Sequence, residues 1–232
     1  MLYIVATPIG NLEDITFRAV RTLKEVDLVA AEDTRHAKIL LNKYEIKTPL
    51  ESFHAHSDDR KLNSLISQMQ QGKTLALISD AGTPGISDPG YILIKKAIEE
   101  GIKVVPIPGP SAFLTALQAS GLPTHQFLYL GFLPLKKGRQ TLLESLKEEK
   151  RTVVFYESPH RILKTLSQLS ELFAQWAGNK ADQPARQIVV ARELTKIHEE
   201  YFRGTPQEAY EQFSKAAKPK GEFVVMIGPH TK

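Results

Sequence analysis

The sequence predicts two α/β domains, and three observations predict them. Short apolar runs alternate with amphipathic stretches along the whole chain. Turns rich in glycine and proline follow the apolar runs directly. At Gly121-Leu122-Pro123 the alternation pauses and begins again, dividing the chain into 1–120 and 121–232.

In the first half, "LYIVA" (2–6) reads as a strand. "ITFRAVRTLKEV" (15–26) is a helix with Ile15, Ala19, Val20, Leu23 and Val26 on one side. "DLVAA" (27–31) is the second strand, followed at once by "EDTRH". A helix over 58–71 has Ser57 as its cap and Gly72 as its end. "TLALI" (74–78) is the third strand, and Asp88 is placed to cap the next helix with Pro89 in its first turn. "KVVPI" (103–107) is the fourth strand and leads through "PGPSA" into the helix "AFLTALQAS".

The second half repeats the pattern. Strands are expected at 127–134 and 152–156, with the helix "GRQTLLESLKEEK" between them. A long helix starts at Ser158-Pro159 and buries Leu163, Leu166, Leu169, Leu172 and Phe173. A polar break (178–186) precedes "QIVVA", which has "EEYFRG" as hairpin partner. Thr205 and Glu208 form a capping box around Pro206, and "EFVVMIG" is the last strand.

Composition narrows the function classes. The chain has no cysteine, which excludes disulfides and thiolate metal sites and fits a reducing cytoplasm. No apolar run approaches the roughly 18 to 20 residues of a membrane span, and "MLYIVATPIGN" lacks the basic start of a signal peptide. A formal charge of +4 suits an anionic partner such as nucleic acid. Lys/Arg clusters at 136–139, 147–151 and 215–220 read as solvated helix faces. His54 and His56 are two apart and flank a loop, so no metal is expected.

Four turns meet the condition for a ligand site in an open α/β sheet, because each follows a strand's carboxyl end: 7–11, 32–36, 79–85 and 108–112. Any one of them could be a plain tight turn; four at one edge favour a ligand pocket. A P-loop would need a lysine after the glycines, and a dinucleotide fingerprint would need G-x-G-x-x-G; neither is present. The turns carry Glu32, Asp33, Asp80 and Asp88 instead. Carboxylates repel a polyphosphate but suit ribose hydroxyls, an amino group and a positive centre, all of which S-adenosylmethionine has.

"VATPIGNLEDIT", "EDTR", "SDAGTPGISDPG", "PGPSA", "FYESPHR" and "ARELTK", in this order, resemble the 2'-O-ribose cytidine methyltransferases of small-subunit ribosomal RNA, a family within the tetrapyrrole methylase superfamily. The resemblance runs from residue 3 to about 228. It implies two α/β domains of tetrapyrrole-methylase type, S-adenosylmethionine in the inter-domain cleft, a homodimer, and small-subunit ribosomal RNA or the assembled 30S subunit as partner. Members often carry a further small C-terminal domain, whereas this sequence stops at "GPHTK". Carried over, Pro8 borders the cofactor, Asp80, Ala81, Gly82 and Thr83 approach it, and Ile86 packs on it. Ser111 and Ala112 contact it, and Glu157, Leu194 and Thr195 close the site. Thr83 stands where the tetrapyrrole branch is typically acidic, which fits a different substrate.

Methyl transfer to a ribose hydroxyl benefits from a general base. Asp33, Asp80, Asp88, Glu157 and His160 are the candidates. Asp33 is preferred, with Arg35 beside it to grip an RNA phosphate; His160 and Arg161 are equally suited to touch RNA. Two other readings are a small-molecule methyltransferase of the same superfamily and a non-catalytic RNA-binding relative.

Overall fold

A computed structural model describes residues 1–54, 59–178, 185–215 and 218–230. The expected cap Ser57, His56 and most of the 178–186 break lie outside the described residues. The chain divides into two compact units, Met1–Ser111 and Ala112–Lys232.

The first unit holds five parallel strands in the order β3-β2-β4-β1-β5: β1 (Leu2–Val5), β2 (Leu28–Ala31), β3 (Leu50–Ser52), β4 (Leu75–Ile78) and β5 (Val104–Ile107). Side chains alternate across this sheet. Leu2, Ile4, Leu28, Ala30, Leu75 and Leu77 pack under α3 (Asp59–Gln70) and α4 (Gly90–Glu99). Val5, Val29, Ala31, Ala76 and Ile78 pack under α1 (Phe17–Glu25) and α2 (Thr34–Lys43). Both faces are covered, which is why the inner strands β2 and β4 are apolar and buried throughout, whereas the edge strand β3 (Leu50–Ser52) carries Glu51 and Ser52.

Two boundaries differ from the sequence pattern. "DTRHAKILLNK" is a helix, α2, where only a ligand-binding turn was expected; Asp33 caps it and Ala37, Leu40 and Leu41 are buried. Pro89, not Asp88, is the residue preceding α4. Asp88 nonetheless ties the turn, since its Oδ1 accepts from the N–H groups of Gly85 and Gly90, each at 2.8 Å.

The second unit is a mixed five-stranded sheet, β6-β7-β10-β8-β9. Its strands are β6 (Phe127–Phe132), β7 (Thr152–Glu157), β8 (Ile188–Arg192), β9 (Glu200–Gly204) and β10 (Phe223–Ile227). β6 and β7 run parallel, and β8 and β9 form the expected antiparallel hairpin. One face packs on α6 (Arg139–Ser145), α7 (Ile162–Gly178) and α8 (Pro206–Ser214) through Phe155, Leu166, Leu169, Phe213 and Val225. The capping box at Thr205 and Glu208 is present in full.

The other face carries α5 (Ala112–Gln118), which the pause at residue 121 had assigned to the first half. Its side chains explain the difference. Phe113 stacks on Tyr129 with ring centroids 4.3 Å apart, and its N–H donates to the Tyr156 hydroxyl at 3.3 Å. Tyr201 donates to the Thr115 carbonyl, and Arg203 donates to the carbonyls of Ala119 and Ser120. Among the described residues no helix is long and apolar enough to cross a membrane.

Candidate functional site

The four turns of the first unit are joined to one another. Thr7 and Gly82 exchange backbone hydrogen bonds at 2.9 and 3.0 Å, linking the turn after β1 to the turn after β4. The buried Thr7 hydroxyl also donates to the Ser79 carbonyl at 3.1 Å. Asp33 N–H donates to Asp80 Oδ1 at 2.9 Å, linking in the turn after β2. Thr83 Oγ1 donates to the Pro110 carbonyl at 3.0 Å, linking in the turn after β5. The four turns therefore form one hydrogen-bonded rim along the carboxyl edge of the sheet, the position at which open α/β sheets bind ligands.

Two glycines make this rim buildable. Gly82 sits at φ +79°, in the left-handed region that side chains adopt at a cost. A Cβ on Gly109 would stand 2.9 Å from the Ala6 Cβ, so only glycine lets the turn after β5 lie against β1's end. Pro8 is buried; Asp80, Ala81 and Ile86 are exposed, and Thr83 and Ser111 are half-buried.

The carboxylates of the rim are not equivalent. Asp33 caps α2 and accepts from Arg35 three times: from its N–H at 2.8 Å, from Nε at 3.1 Å and from Nη2 at 2.7 Å. Those bonds hold its carboxyl well below the usual carboxylate range. Such a group is a poor proton acceptor, and Arg35 is already engaged. Glu32, half-buried beside them, is displaced the other way. Burial raises its pKa first, and the negative charges of Asp80 and Asp88 raise it further. Glu32 was noted in the sequence for its charge but not as a base; its signal is spatial, arising where the turns after β2 and β4 meet.

In the second unit, Glu157 ends β7 with its side chain fully buried. Oε1 accepts from Ser158 N–H at 2.8 Å and pairs with Arg161 Nη2 at 2.7 Å. Oε2 accepts from the Thr165 hydroxyl at 2.6 Å, with Arg139 Nη2 3.9 Å away. Arg139 donates to Thr165 Oγ1, Gln168 Oε1 and the Pro134 carbonyl, and Arg161 donates to the Leu133 carbonyl. Both oxygens of Glu157 are thus engaged inside the unit. Arg139, grouped in the sequence with a solvated cluster, is buried. His160 stands exposed on the turn.

The turn "RELTK" after β8 is strained. Glu193 and Thr195 have φ of +52° and +65°, and a β-branched residue there is an outlier. Glu199 accepts from Thr195 N–H at 2.6 Å, and Lys196 bridges Glu193 and Glu222. A Cβ on Gly221 would lie 2.6 Å from the Glu193 Cγ, so glycine there admits the Glu193 side chain. Strain of this kind concentrates at binding sites. Leu194 is buried between the two strained residues. Among the described residues no group of three or more His, Cys, Asp or Glu could hold a metal.

Residues 1–210 match the family described as Tetrapyrrole (Corrin/Porphyrin) Methylases. The ribosomal RNA small subunit methyltransferase I of Halalkalibacterium halodurans is 52% identical, over 97% of this chain and 75% of that protein. The protein of that name from Thermotoga maritima is 48% identical, over 97% of each.

The chain belongs to the tetrapyrrole methylase family, in the ribosomal RNA small subunit methyltransferase I group.

The tetrapyrrole methylase fold is evident in solved structures as well. A uroporphyrin-III C-methyltransferase from Thermus thermophilus, complexed with S-adenyl homocysteine, superposes with a TM-score of 0.62 at 18% identity, over 98% of this chain and 96% of that one.

Proposed function

We propose that this protein transfers a methyl group from S-adenosylmethionine to the 2'-hydroxyl of a cytidine in small-subunit ribosomal RNA, in the cytoplasm and as a homodimer. The observation that carries this reading is the identity of 48–52%, across nearly the whole chain, to proteins named for that RNA. The site's chemistry fits the cofactor. Its rim offers bare backbone at Gly82 and the carboxylates of Glu32, Asp33, Asp80 and Asp88, with Arg35 tied to Asp33, which suits an amino group, a ribose and a sulfonium better than a polyphosphate. Thr83 is neutral and its hydroxyl is engaged by Pro110, so it brings no charge to the central turn.

S-adenosylmethionine supplies an activated methyl group; the protein's work is to position the acceptor and take its proton. The residues we propose to contact the cofactor are Pro8, Asp80, Ala81, Gly82, Thr83, Ile86 and Ser111 in the first unit, and Ala112, Leu194 and Thr195 in the second. Glu157 acts by holding Ser158 and Arg161 in place, with no carboxylate oxygen left over. We assign proton removal to Glu32 rather than Asp33, because Arg35 weakens Asp33 as a base whereas the surroundings of Glu32 strengthen it.

Mass spectrometry of small-subunit ribosomal RNA from cells with and without the protein tests the reading. One 2'-O-methylcytidine should vanish in its absence; unchanged RNA would refute it. Gly82→Val tests the cofactor site. A β-branched residue at this φ costs about 1–3 kcal/mol and strains the Thr7 bridge. Calorimetry should show S-adenosylmethionine affinity lowered by about tenfold, the counterpart of 1.4 kcal/mol.

A further inference from the structure

The carboxyl ends of the parallel strands β6 and β7 lie side by side, with Phe132 in register with Tyr156. The loop after β6 (133–138) and the turn after β7 (158–161) are fastened together there. Arg161 holds the Leu133 carbonyl at 3.0 Å, Arg139 holds the Pro134 carbonyl at 3.2 Å, and Glu157 lies between the two guanidiniums. Arg139 also binds Thr165 and Gln168, which sets the loop against the first turns of α7.

The charge of this edge is one-sided. Residues 133–143 and 158–170 contain Lys136, Lys137, Arg139, Arg161 and Lys164 and no aspartate or glutamate. Five cations face one buried carboxylate, Glu157, a surplus of four that equals the formal surplus of the entire chain. Lys136, Lys137, His160 and Lys164 are exposed, and among the described residues no carboxylate pairs with the three lysines. Apolar groups lie among them: Phe132 is 54% exposed and Leu135 75% exposed. Cations around one exposed aromatic ring and an exposed aliphatic side chain suit single-stranded nucleic acid, with phosphates meeting the cations and bases the apolar groups. A loop fixed from beneath by two arginines loses little freedom when it binds.

We propose that this edge is the RNA-gripping surface of the protein, with Lys136, Lys137 and Lys164 on backbone phosphates and Phe132 and Leu135 against bases. It rests on the reading that the substrate is ribosomal RNA. The test uses the full chain, 30S subunits from cells lacking the protein, and a salt titration of binding. K136Q/K137Q/K164Q should weaken binding at least tenfold at about 0.1 M salt and flatten the slope of log K against log salt by about 2. S-adenosylmethionine affinity, read by calorimetry, should be unchanged. K24Q/K103Q/K215Q, an equal loss of charge elsewhere on the surface, should leave the slope near wild type. Equal slopes for wild type and K136Q/K137Q/K164Q, with wild-type methylation intact, would overturn this surface alone. A wild-type protein that neither binds nor methylates the subunit would overturn it together with the functional reading.

Discussion

Glu157→Ala is expected to destabilise the protein by about 3–5 kcal/mol, the usual penalty for stranding a buried charge. The carboxylate is fully buried, and its removal leaves Arg161 and the buried Arg139 without a counter-charge. It also orphans Ser158 N–H and the Thr165 hydroxyl. Urea unfolding followed by the fluorescence of Trp176, the sole tryptophan and a residue of α7 in the same unit, reads the loss directly. Glu157→Gln keeps one acceptor oxygen and should cost less. Replacing the network as a whole, with Glu157→Met, Arg139→Leu and Arg161→Leu, should recover much of the stability, because no charge is then left unpaired. A Glu157→Ala protein within about 1 kcal/mol of wild type would mean that water reaches the arginines.

That network shows where sequence reasoning stops. The apolar stripe of α7 was legible because its period is local, and Leu166, Leu169, Leu172 and Phe173 are buried as that period requires. The start of the helix was not. Ser158-Pro159 has the chemistry of a first turn, yet α7 begins at Ile162. Glu157 draws in Ser158 N–H, and the Ser158 carbonyl accepts from both Arg161 and Ile162 N–H, so a separate turn forms first. That turn already carries an i→i−4 bond, from Ile162 N–H to the Ser158 carbonyl, so Ser158-Pro159 leads into the helix through one tighter turn. Likewise α2 was hidden because "EDTRH" reads as a ligand turn, although its Asp is also a helix cap.

The rim shows the same division. Glycine, proline and aspartate after each strand announced four turns, since backbone freedom and Asx chemistry are properties of single residues. Their mutual bonds, Thr7 to Gly82, Asp33 to Asp80 and Thr83 to Pro110, depend on strand order and had no local sign. The strained turn after β8 contains no glycine. Its only trace is Gly221 on the neighbouring strand's approach, which matters only once Glu193 is seen against it.

Glu32→Gln is expected to lower kcat by about 10²-fold or more, the contribution typical of a positioned general base, while making the protein more stable at neutral pH. The two effects share one cause. Burial and the charges of Asp80 and Asp88 raise the pKa of Glu32, so the folded protein binds its proton more tightly than the unfolded chain does. Stability from this group is therefore full below the ordinary carboxylate value of 4.5 and falls as pH rises through the raised folded value. A neutral glutamine has no such decline, so the variant's advantage in melting temperature should appear above that window and vanish below it. Activity runs the opposite way: wild-type kcat should climb as Glu32 ionises across the same window, and Glu32→Gln should lose that limb. Asp33→Asn separates the alternatives. Its carboxylate is stabilised by Arg35, so the asparagine should reduce stability above the usual aspartate range and leave the acid limb in place. If the limb disappeared with Asp33→Asn and survived Glu32→Gln, the base would be Asp33 after all. A Glu32→Gln enzyme that lost activity and stability together would place Glu32 in the scaffold of the rim.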